Sequence, residues 1–175
     1  MNRALERFAG RVDRFNAVIG RAAGWLTVAM VVVTCIVVVA RYFFDAGWIW
    51  LQESVTWMHA VVFMLAAAWT LGLDEQVRVD VFYRDMPPRR RALVDLSGVL
   101  LLLIPFCIFL LSVNWNYVSA SWRIGEASRE AGGLPGLFVL KSVMLVMPVL
   151  LIFQGLALAA RSWVILRGAP RTPAP

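Results

Sequence analysis

Charge is scarce in this chain of 175 residues: 16% of positions are Asp, Glu, Lys or Arg, against 61% that are hydrophobic. A soluble domain is nearer half apolar and does not repeat long apolar runs, so a water-borne globule is excluded. Histidine occurs once, as His59, which rules out a bis-histidine haem within one chain. Cysteine occurs twice, as Cys35 and Cys107, both inside apolar runs and in no CxxC pattern. Thiols so placed read as small apolar side chains, not as a metal or disulfide pair. Nucleophile motifs, phosphate loops and metal-ligand clusters are missing too, and with them any enzyme signature. The net charge of +6 does not point to nucleic acid, because the arginines flank the apolar runs.

What is present is four apolar runs, over about Ala22–Ala40, Trp50–Leu73, Leu96–Val118 and Leu137–Ile165. At about 1.5 Å per helical residue each can cross a bilayer core. Residues 1–21 precede the first run. They place Leu5, Phe8, Val12, Phe15 and Ile19 on one helical stripe and Arg7, Arg11, Arg14 and Arg21 on another face. That pattern predicts an amphipathic helix lying on an anionic leaflet. A cleaved signal peptide is not expected, since the first run ends in ARYFFDAG without a small-residue cleavage site. Tyr42, Phe43, Phe44, Trp48 and Trp50 crowd the first turn, as aromatic side chains do at a membrane–water interface.

Residues 74–95 are the most charged segment, broken by Pro87 and Pro88. An amphipathic connector over 114–135 joins the third and fourth runs and ends among Gly132, Gly133, Pro135 and Gly136. The short tail over 166–175 is Pro-rich and expected to be disordered. Thirteen basic residues fall in the N-terminal stretch, the second-to-third loop and the C-terminal end from Arg161 onward, and only Arg41, Arg123, Arg129 and Lys141 on the other side. The positive-inside rule then puts both termini in the cytoplasm, as an even number of spans requires. The expected architecture is an all-α membrane protein: an interfacial helix over 1–21, a four-helix transmembrane domain over 22–165, and the tail.

The second span organises the rest. Within it Gln52, Thr56, His59, Phe63, Ala66 and Thr70 recur at three and four, forming one semi-polar stripe, with Glu53 and Trp57 on the next. Ionisable groups in a span are costly and normally face protein or water. Glu53 and His59 could therefore form a proton or cation path, or hydrogen-bond within the bundle or to a partner subunit. The first span offers only Thr27 and Thr34 at matching depth, and the third only Ser97 and Ser112. Arg41 and Glu53, at the ends of one helical hairpin, are expected to pair across the turn, with Lys141 joining them or reaching the headgroups. Pro105 predicts a kink in the third span, while Pro148 and Gln154 lie inside the fourth.

Arg41-Tyr42, Trp50, Glu53, Ala66-Ala67-Ala68 and Val77-Arg78-Val79-Asp80 follow one another in this order. Gly133-Leu134-Pro135, Lys141-Ser142, Pro148 and Gln154-Gly155 come after them. In order and spacing these resemble the small membrane subunit of TRAP transporters, the DctQ type, over roughly Trp25 to Trp163. The chain has Gln76 where the family often has His before the Val-Arg-Val-Asp stretch, a cytoplasmic surface position. The resemblance implies a tripartite, ATP-independent uptake system. In it a periplasmic binding protein captures an organic acid or related solute, and a large permease subunit carries it inward with sodium ions. The small subunit would be a fixed scaffold in the bacterial inner membrane, without cofactor, the sodium ions belonging to the partner. Asp80 would order the charged cytoplasmic loop. Two other readings stand beside this one: a stand-alone proton-coupled transporter using Glu53 and His59, and a membrane anchor of an unrelated complex.

Overall fold

A computed structural model describes residues 2–76, 83 and 85–168 of the chain. Among the described residues all regular structure is helical, and four helices are long and apolar enough to cross a membrane. They are α1 (Asn2–Phe44), α2 (Ile49–Leu73), α3 (Pro88–Ile124) and α4 (Leu137–Leu166). Asp80 and most of the tail lie outside the described residues.

α1 departs from the expectation of a separate helix over 1–21. It runs unbroken through Gly20 and Gly24 for 43 residues, about 64 Å at 1.5 Å per residue, roughly twice a hydrocarbon core. Packing explains the continuity. Ala9, Val12, Asn16, Gly20 and Ala23, spaced by three and four, are buried along one face. Val12 and Ala9 cluster with Ala157 of α4, and Gly20 lies against Trp69 of α2. The expected apolar stripe is thus divided. Val12 turns inward, while Phe8 and Phe15 stay exposed among Arg7, Arg11 and Arg14.

α4 is the shared neighbour of the bundle, packing against α1, α2 and α3, while α1 also packs along α2. The helices approach closely where side chains are missing. A methyl group built on Gly20 would lie 2.4 Å from the Trp69 ring, and one on Gly72 2.8 Å from Gln154 Nε2. One on Gly155 would lie 2.7 Å from Leu103 Cδ2. Small residues at such crossings let dispersion hold helices that lipid does not squeeze together.

Pro105 distorts α3 as its missing N–H requires. The preceding turn, Val99–Leu103, is π-helical, and Ile104 N–H bonds back to Val99 O. The wider turn keeps the proline ring clear of the carbonyl four residues earlier. α3 then continues to Ile124, so the first half of the expected connector is helix, and Gly125 ends it at a φ of 57°. Pro148 is buried inside α4 without ending it. Outward faces are largely hydrocarbon: Val31, Val32 and Val39 on α1, Leu101, Leu102 and Phe109 on α3, Val146 and Phe153 on α4.

Candidate functional site

The polar side chains of this bundle gather at its two ends. At one end the α3–α4 loop folds over the start of α2, and two carboxylates hold it there. Glu53 Oε2 accepts the Leu134 backbone N–H at 2.7 Å and bonds the Ser128 side chain. Ser128 N–H in turn donates to Leu134 O at 3.0 Å, closing the loop on itself. Gly133 leaves room for this, since a methyl group on it would meet Ser128 Oγ at 2.5 Å and Glu53 Oε2 at 2.7 Å.

Glu126 is the second anchor. It accepts from Lys141 Nζ and, at 2.6 Å, from Ser121 Oγ, while the ammonium sits 4.0 Å from the Tyr117 ring centroid. The Lys141 hydrogen bond, followed by that from Ser121, pulls the Glu126 carboxyl below its ordinary value of 4.5. Beside them Trp122 Nε1 donates to Ser142 Oγ at 2.8 Å and meets the Phe138 ring edge-on, centroids 4.6 Å apart.

This arrangement replaces the expected Arg41–Glu53 pair. Glu53 spends its oxygen on a backbone donor and a hydroxyl fixed by the loop, while Arg41, in the last turn of α1, is exposed. Lys141 joins Glu126 and Tyr117, not Glu53.

At the other end a polar seam ties α1 to α4. Asn16 Nδ2 donates to Gln154 Oε1 at 2.7 Å, and Gln154 Nε2 donates to Asp13 Oδ1 at 2.8 Å. Arg161 pairs with Asp13 Oδ2. Asp13 and Asn16 share a face at three residues' spacing, as do Gln154 and Arg161 at seven. Asn16 and Gln154 are almost fully buried, at 2% and 1% exposure. Sequence reading singled out Gln154 but not Asp13, Asn16 or Arg161. The available signal was an acid and an amide interrupting the arginines of the first helix.

α2 presents a third polar feature, on its outward side. Thr56, His59 and Phe63 are exposed and Gln52 is half-buried, all within about 60° of arc. Glu53 lies about 120° around the axis from His59 and about 9 Å along it, facing the loop. The two ionisable groups do not converge. Of the remaining expected residues, Trp50 is exposed near the start of α2 and Pro148 is buried in α4. Gln76 closes the end of α2, donating to Thr70 Oγ1 at 2.9 Å. A groove of about 370 Å³ between α3 and α4 is lined by Trp115, Val118, Ser119, Trp122, Arg123, Ser142 and Leu145, and the surface it presents is nearly all apolar, which gives a polar solute little to bind.

A family model described as the DctQ component of tripartite ATP-independent periplasmic transporters matches residues 30–164, well over half the chain. The chain belongs to the DctQ family. Searches among curated proteins and among solved structures each find no match. As a DctQ protein it is a multi-pass membrane component of a transporter, from a family of transport proteins and not of enzymes. The matched range holds α2, α3, the Glu53 anchor and the outward stripe, whereas Asp13 and Asn16 precede it. The polar seam therefore joins a part of α1 that precedes the matched range to α4 within it.

Proposed function

We propose that this DctQ protein is the fixed scaffold subunit of a sodium-coupled TRAP transporter in the bacterial inner membrane, with both termini cytoplasmic. Its large partner subunit carries the solute, an organic acid or related compound delivered by a periplasmic binding protein. Sodium and solute sites belong to that partner.

The observation that carries this reading is the use made of the polar side chains. Asp13, Asn16, Gln154 and Arg161 fasten α1 to α4, and Glu53, Glu126 and Lys141 fasten the α3–α4 loop. A solute path needs polar groups converging at one depth from several helices. Here the polar groups that pair between elements brace the two ends of the bundle, which suits a part that must stay still while another moves. Exposed aromatic residues at the outer end, Tyr42, Phe43, Phe44, Trp48 and Trp50, favour a fixed depth at the interface.

Gentle extraction of the tagged chain from its native membrane tests the reading. Co-purification of a large polytopic permease is the expected result. Recovery of the chain alone, or with a cofactor-bearing enzyme, contradicts it.

A further inference from the structure

Hydrocarbon offers no hydrogen-bond partner, so polar side chains facing out of a bundle at mid-span mark a face that something else covers. His59 is the eleventh of the 25 residues of α2, close to its middle, and it is exposed. Neither its imidazole nor the Thr56 hydroxyl one turn earlier takes part in a hydrogen bond among the described residues, and both share the arc of Gln52 and Phe63. On α1 and α3 three polar groups fold back on their own helices: Thr34 Oγ1 donates to Met30 O, Ser112 Oγ to Phe109 O, and Asn114 Nδ2 to Leu110 O. The outward sides of α1, α3 and α4 already suit lipid. α2 does not.

We infer that the Gln52–Thr56–His59–Phe63 face of α2 docks on a transmembrane helix of the large permease subunit, which presents a hydrogen-bonding group opposite His59. This rests on the scaffold reading, and it names the face that the scaffold uses. An imidazole supplies a donor and an acceptor at neutral pH, so a carboxyl, hydroxyl or amide on the partner satisfies it. Phe63, 71% exposed one turn further on, gives the contact an apolar anchor. Glu53, turned toward the loop, leaves this face free of fixed charge.

The test places a photo-reactive benzoylphenylalanine at Phe63 in the assembled complex, with Phe109 of α3, 59% exposed, as the comparison site. Phe63 is expected to cross-link to the large subunit and Phe109 to lipid. Adducts from Phe63 with lipid alone, or with a second copy of this chain, overturn the inference if the permease still co-purifies. Loss of co-purification in the unmodified complex overturns the scaffold reading itself, which keeps the two failures apart. A second pair isolates the hydrogen bond: His59→Leu is expected to lower recovery of the large subunit about tenfold, and His59→Gln much less. Equal recovery with both variants contradicts a hydrogen-bonded contact at this position.

Discussion

Gln154 is the most deeply buried of the polar side chains described. It takes one hydrogen bond from Asn16 and gives one to Asp13, at 1% exposure, and its amide lies where Gly72 leaves space. Gln154→Leu removes both bonds and leaves buried Asn16 without any, so it should cost about 2–4 kcal/mol by thermal unfolding in detergent. Asn16→Leu deletes one bond and the unpartnered Asn16 Oδ1 but leaves Gln154 Oε1 without a donor, so it should cost less, about 1–2 kcal/mol. Equal losses would show that the seam does not run through Gln154. Gly20→Ala tests the closest crossing in a different way. Its methyl group would sit 2.4 Å from Trp69, so the helices must separate, at about 1–3 kcal/mol.

This residue scale was the least legible in the sequence. Gln154 stood out as an amide in an apolar run, but its partners lie 138 and 141 positions away. Nothing local links them. The Arg41–Glu53 expectation failed for a related reason: proximity across a short turn suggested an ion pair. A backbone N–H at Leu134, 81 positions away in sequence, proved the better-fixed donor.

At the scale of elements, the hydrophobic runs located the helices well because a bilayer-crossing helix must be apolar over its whole length. α2 and α4 begin and end within a residue or so of the runs that predicted them. The ends of α1 and α3 were harder to see. Arginines and tryptophans beyond the apolar stretch read as interface or connector, yet α1 continues because its small-residue stripe packs on α4. The loop after α3 yields two predictions. Glu53→Ala should free the Leu134 amide and speed its hydrogen exchange by at least about tenfold, with α2 still helical. Unchanged exchange would mean that the loop holds itself. Glu126 has a folded pKa below 4.5, so its contribution to stability is present above that value and is lost as pH falls through the lower folded value. The melting temperature of the native protein should therefore converge on that of Glu126→Gln only in acid below pH 4.5, the gap staying constant at neutral pH. A gap that closes near pH 7 would contradict the pairing with Lys141.

The whole molecule is a bundle braced at both ends and plain in the middle, with one polar stripe turned outward. Family and span number make it a multi-pass membrane component of a tripartite transporter. The stripe was legible in the sequence as a period of three and four on α2, but its direction was not, since period alone does not say which side faces lipid. Its direction separates the readings. A proton path would bring Glu53 and His59 together inside the bundle, and the structure turns them apart.

Sodium-driven uptake into proteoliposomes decides the matter most directly, comparing this chain alone, the large permease alone, and both together with the binding protein. Uptake only when both membrane subunits are present is the outcome expected of a scaffold. Uptake by this chain alone, abolished by Glu53→Gln or His59→Gln, would contradict it and make the chain the transporter.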